Sequence, residues 1–123
     1  VAFGPVSVLP EMQKKGYGSK LIRFTLARAA ELGYGAVAIT GDPQYYARFG
    51  FVSGHSAGIY YAALPRSEEA PFFMVKELQP GFLHGAVGSY SDPEGYMAEE
   101  ADVEAFDALF PPKEKKKLPG QLV

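Results

Sequence analysis

The sequence predicts an α/β protein with a mixed sheet, followed by an added C-terminal amphipathic helix. Three observations lead there. A short apolar run, Val6-Ser7-Val8-Leu9, precedes a glycine-containing turn, then a stretch with helical spacing, then a second apolar run, Ala36-Val37-Ala38-Ile39-Thr40. Such a strand, helix, strand order implies a parallel pair joined by a right-handed crossover. Further on, Phe72-Phe73-Met74-Val75 and residues 85–90 are separated by the turn residues Gln79-Pro80-Gly81, which is hairpin order.

Taken in order, residues 1–9 are too apolar for an edge strand with one wet face. They are expected as a central strand, covered on both sides and ended by Pro10, which has no N–H to donate. Over 19–32, Ile22, Leu26, Ala29 and Leu32 alternate with Lys20, Arg23, Arg28 and Glu31 at helical spacing. Gly33 stands where a helix C′ residue belongs. Asp42 and Pro43 suit the N-cap and first position of a short helix over 44–49 that stops at Gly50. Phe49 and Phe51 are expected in the core. Phe51-Val52-Ser53 can begin a strand, while Tyr60-Tyr61-Ala62-Ala63-Leu64 fits strand or helix equally. Residues 85–90 are expected to return antiparallel to 71–78. Beyond the break at 91–95, a helix over 98–110 carries Val103, Phe106, Leu109 and Phe110 on one stripe, with acidic first turns that suit the helix dipole. Such an appendage should dock on the domain or on a partner. Lys113 to Lys117, four lysines and one glutamate, read as a solvated tail.

Composition bounds the function. The chain has 123 residues, is 47% hydrophobic and 21% charged, and carries a net charge of −2. It is large enough for one domain with a modest core and too apolar for a disordered segment. It lacks the basic footprint of a nucleic-acid binder. With no cysteine, a disulfide framework, a thiolate metal site and a cysteine nucleophile are all excluded, and no metal is expected. No apolar run is of membrane-spanning length and no signal segment is visible, so the expected setting is cytoplasmic, with no membrane partner.

The chemistry centres on Gln13-Lys14-Lys15-Gly16-Tyr17-Gly18-Ser19. The first N–H groups of a helix lack internal partners, and the dipole places partial positive charge there. Gly16 and Gly18 let a ligand approach those groups, and Lys14 and Lys15 add formal charge, which is what an anion site for a phosphorylated ligand needs. On spacing alone, a tight turn with solvated lysines reads equally well. The dinucleotide fingerprint fails because Leu21 replaces its third glycine. A Walker A loop fails because the order is Gly-Ser-Lys.

Apolar-x-Val-x-Pro (Val6 to Pro10), followed by Gln13-x-x-Gly16-x-Gly18, resembles motif A of the GCN5-related N-acetyltransferases. Gly41-Asp42-Pro43-Gln44-Tyr45-Tyr46-Ala47-Arg48-Phe49-Gly50-Phe51 resembles the family's motif B, in the wording of one subgroup of predicted acetyltransferases. Phe106-Asp107-x-x-Phe110-Pro111-Pro112-Lys113 resembles a tail found in the same subgroup. The resemblance covers roughly residues 1–90. It implies the C-terminal part of an acyl-CoA N-acyltransferase fold, with the family's N-terminal strands and helical pair lying outside these residues. By it, residues 1–123 form a single, N-terminally incomplete domain: 1–54 hold motifs A and B, 55–90 the acceptor-side strands, 91–123 the C-terminal helix and lysine-rich tail.

The resemblance further implies transfer of an acetyl group from acetyl-CoA to an amine, by direct attack in a ternary complex. The backbone around Val6, Ser7 and Val8 would hold the pantetheine arm. The turn and helix start at Lys14, Lys15, Gly16, Tyr17, Gly18 and Ser19 would bind the pyrophosphate. Tyr46, four residues before the glycine of Gly-Phe, would protonate the departing thiolate, while Tyr45 packs. By the resemblance Arg48 would face either the cofactor's phosphates or solvent, and the reading preferred is solvent or a structural pair. His55 reads as incidental; His84 is a minor candidate for a base, and Glu11 a surface residue. The acceptor is a small-molecule or peptide amine, and a homodimer is compatible with the reading. Two alternatives stay open: a non-catalytic acyl-CoA-binding or interaction module, and another phosphate- or nucleotide-binding domain.

Overall fold

In the computed structural model, which describes residues 1–117 and Pro119, the central strand is β4 (Phe73–Glu77), between β1 (Ala36–Thr40) and β2 (Val52–Ser53). Both neighbours run antiparallel to it: Ala38 faces Val75 on one side and Val52 faces Val75 on the other. That placement explains the composition of β4. Phe73, Met74 and Val75 are all nearly fully buried, which requires cover on both faces and gives a continuous apolar run rather than an alternation. Met74 joins Val37, Ile39, Phe49, Phe51, Ile22 and Leu26 in one core cluster. Phe73 and Val75 join Ala70 on the other face, with Ile59, Tyr61 and Tyr90 against them.

The first cluster is closed by α1 (Tyr17–Glu31). Ile22 and Leu26 are buried as the spacing predicts, with Ala29 packed beside them, whereas Leu32 is exposed. Leu32 is already the C-cap, where the chain turns away: Gly33 adopts φ +86°, its N–H donates to the Ala30 carbonyl, and the Tyr34 N–H donates to the Ala29 carbonyl. That pair of bonds is the Schellman arrangement, and it satisfies two of the helix's last carbonyls. Asp42 caps α2 (Pro43–Tyr46) by accepting the Gln44 N–H at 2.9 Å. A 3₁₀ turn at Ala47–Phe49 follows, ended by Gly50 at φ +86°.

Two expectations are corrected. Residues 1–9 are not a central, doubly covered strand. They run extended beside β1 but bridge it in parallel only at Ala2, opposite Ala38. The ladder stops after the Phe3 N–H because its next donor would be residue 5, a proline. Beyond it burial alternates, with Val6 and Val8 half-buried and Ser7 and Leu9 exposed. Nor do residues 85–90 return along β4. Both edges of β4 are taken, so β5 (Gly88–Tyr90) pairs instead in parallel with β3 (Ile59–Tyr61). The connection between β4 and β5 is turned by the Glu77 carboxylate, which accepts the N–H groups of Gly81 and Leu83 at 2.8 Å each.

These elements form one compact unit, Val1–Ser91; a second unit begins at Asp92. The second holds α3 (Glu100–Asp107), shorter than the expected 98–110. Its end loosens into three-residue bonds from Leu109 and Phe110, since the residue before a proline avoids helical backbone. The Phe106 and Phe110 rings lie 5.2 Å apart. The final part of the predicted helix-and-tail segment, Leu118 and residues 120–123, lies outside the described residues. Among the described residues no helix is long and apolar enough to cross a membrane.

Candidate functional site

A cleft of about 630 Å³ opens between residues 6–19 and the segment carrying the two tyrosines of α2. Its floor is the first turn of α1. Gly16, the N-cap, sits at φ +85° and ψ 5°, the left-handed region that glycine enters without a Cβ clash. A left-handed residue followed directly by right-handed helix turns successive N–H groups into one concavity, a shape suited to anions. The Gly16 carbonyl accepts the Lys20 N–H, closing the first helical turn. No side chain caps this end and no acidic residue lies in the first turn. The free N–H groups of a 15-residue helix therefore face an open cleft. Lys14, beside them, holds φ +59°. That is a backbone strain of about 1–2 kcal/mol for a residue with a Cβ.

One wall is the extended segment after Pro5. Val6 and Val8 line the cleft, and the Gln13 amide donates to the Val8 carbonyl at 3.1 Å, tying the segment to the turn. The backbone N–H groups of Val6 and Val8 have no hydrogen-bond partner among the described residues.

The opposite wall is aromatic. Tyr45 and Tyr46 meet edge to face at 5.1 Å, and both are half-buried against the core that includes Phe49 and Phe51. Tyr46 lies over Gly41, where a Cβ would come within 2.6 Å of its ring. Burial, and then the neighbouring Tyr45, raises the Tyr46 hydroxyl above its ordinary value of 10.0. The phenol therefore keeps its proton throughout the neutral range. Tyr45 reaches the floor: a Cβ on Gly18 would sit 3.2 Å from its hydroxyl and 3.6 Å from Val8 Cγ2. Gly18 is thus where the two walls approach the helix, and any side chain there narrows the floor.

Of the residues expected from sequence, Val6, Val8, Lys14, Gly16, Tyr17, Gly18, Ser19 and Tyr46 line this one cleft. Ser7 and Lys15 lie beside it without lining it. Ser7 falls on the outward side of the extended segment, and the Lys15 ammonium turns back to the Met12 sulfur at 3.9 Å. Met12, Gln13, Tyr45 and Arg48 also line the cleft. Tyr45 escaped the sequence reading because adjacent helical residues diverge by ~100°, which suggested that only one of the pair could face the site. The short α2 and its 3₁₀ continuation let both rings pack and both reach the cleft. Neither histidine lines the cleft: His55 packs on Tyr60, and His84 is exposed in the connection after β4.

Comparison with known proteins bears on this geometry. The model of the acetyltransferase (GNAT) family matches residues 2–51, which hold the extended segment, α1, β1 and the tyrosine segment. Among solved structures, the chain is similar to a GNAT family N-acetyltransferase, YhbS, from Escherichia coli, solved in complex with CoA. The TM-score is 0.71 and the identity 27%, over 79% of this chain and 52% of that one. The chain therefore spans about half the length of the bacterial protein. No curated protein is similar enough to count as a match.

Proposed function

We propose that this chain, which belongs to the acetyltransferase (GNAT) family, takes acetyl-CoA into the cleft and passes the acetyl group to an amine. The observation that carries the reading is the convergence of three unlike elements on one cleft. These are an uncapped helix N-terminus, an extended segment with unpaired backbone donors, and a protonated tyrosine. They match the three parts of the cosubstrate in kind: diphosphate, amide-bearing arm and thioester.

In this reading the N–H groups at Gly16 to Ser19 take the pyrophosphate, with the Lys14 ammonium beside them. The pantetheine amides pair with the Val6 to Val8 backbone as an added strand would. A backbone N–H there also polarises the thioester carbonyl, where negative charge develops as the amine attacks. The new C–N bond forms, the C–S bond breaks, and the sulfur leaves with the electron pair. The Tyr46 hydroxyl supplies the proton that makes it a thiol, and regains one from the acylated nitrogen by way of solvent. The acceptor is a small-molecule or peptide amine. The YhbS structure, solved with CoA, supports the choice of cosubstrate.

The experiment is release of free thiol from acetyl-CoA in the presence of a panel of primary amines. Because the chain contains no cysteine, every thiol detected comes from CoA. Amine-dependent release supports transfer. Tight CoA binding without release by any amine supports a binding module instead.

A further inference from the structure

Arg48 makes two contacts that hold it in place without pairing its charge with an anion. Its Nε donates to the Tyr45 carbonyl at 2.9 Å, and its guanidinium carbon lies 4.5 Å from the centre of the Tyr45 ring. The side chain is exposed, lines the cleft, and forms no ion pair among the described residues. The Nη groups, four N–H donors in a planar fork, are left over. Lys14 and Arg48 are the two charged residues in the cleft lining, and both are cations, in a chain whose net charge is −2. An arginine with an aromatic floor and a fixed Nε has already lost most of its rotamer freedom, so an anion that meets the fork orders little more.

We infer that Arg48 is a phosphate-binding residue of this cleft, contributed by the tyrosine segment, which faces the helix N-terminus and Lys14 across it. The inference rests on the acetyl-CoA reading and extends it: the cosubstrate's phosphates are held from both walls. Two sources share the chemistry, the pyrophosphate and the 3′-phosphate of the ribose. Tyr45 is then a positioning residue, acting through the arginine stacked on it.

The test is calorimetric titration of the wild type, Arg48→Met and Arg48→Lys with CoA and with 3′-dephospho-CoA. Methionine keeps an apolar stem over the Tyr45 ring, so packing is largely preserved. The expected result is CoA affinity lower by about tenfold or more in Arg48→Met, the usual scale for a lost charge-assisted contact, with part of it restored in Arg48→Lys. The salt dependence of binding should also become shallower in Arg48→Met. If dephospho-CoA loses as much affinity as CoA, the arginine binds the pyrophosphate. If dephospho-CoA binds both proteins alike, it binds the 3′-phosphate. Either outcome supports the assignment. CoA affinity and salt dependence unchanged in a folded Arg48→Met overturn it while leaving the acetyl-CoA reading intact. Absence of CoA binding by the wild type overturns both.

Discussion

Replacing Gly16 separates the shape of the anion turn from its charge. Gly16 holds φ +85°, and a Cβ built there meets nothing within 4 Å. Alanine therefore introduces no clash, only the left-handed backbone cost of about 1–2 kcal/mol. For a unit the size of Val1–Ser91, each kcal/mol lowers Tm by roughly 4–8 °C. Glutamate carries the same backbone cost and adds a carboxylate. Placed about 5 Å from a bound phosphate, it repels each phosphate charge by ~0.8 kcal/mol in bulk water and ~3 kcal/mol at an effective dielectric of ~20. Over the two charges of a pyrophosphate even the lower figure exceeds a factor of ten in Kd. Gly16→Ala and Gly16→Glu should therefore melt together but differ at least tenfold in calorimetric affinity for CoA, and the gap should narrow at high salt. Equal CoA affinity in two equally stable variants would refute the placement of the phosphates on this turn.

Tyr46→Phe should lower acetyl transfer by about 10²–10⁴-fold, leaving the Kd for CoA within about twofold because the ring still packs; thiol release and calorimetry separate the two. Since burial raises the Tyr46 hydroxyl above 10.0, no loss of rate on its account is expected below that pH. Glu77 sits below its ordinary 4.5, chiefly through the N–H of Leu83 and then that of Gly81, with a smaller contribution from His84. A lowered carboxyl stabilises the fold above its unfolded value, and this is lost as pH falls through the folded value. Hydrogen-exchange protection at Gly81 and Leu83 should therefore fade below about pH 4.5, and in Glu77→Ala at any pH; protection unchanged in that variant would show that the loop holds itself. Gly54→Ala puts a Cβ 2.4 Å from the Phe73 ring and 2.8 Å from the Ile59 carbonyl. Overpacking of that kind costs about 1–3 kcal/mol, read as a lower Tm.

What was legible in the sequence was what neighbours in the chain decide. The extent of β1, the Asp42 cap, the Gly33 and Gly50 stops and the burial of Ile22 and Leu26 follow from spacing and capping chemistry within a few residues. The course of residues 85–90 did not, because it depends on β1 and β2 having already occupied both edges of β4. The apolar character of residues 1–9 suggested a covered strand, yet Pro5 ends the ladder almost where it begins. At the site, the glycine turn and Tyr46 were visible as motifs. Tyr45 was not, and Arg48 stayed between cofactor phosphates and solvent, because the stacking contact and the backbone bond that hold Arg48 at the cleft are not encoded in spacing.

The most direct test of the central claim is calorimetric titration of CoA into the wild-type chain, with Gly16→Ala and Gly16→Glu run beside it. A single saturable site in the wild type, weakened at least tenfold in Gly16→Glu relative to Gly16→Ala, is the result predicted. A folded wild-type chain that gives no binding heat, and no ligand-induced rise in Tm, would contradict it.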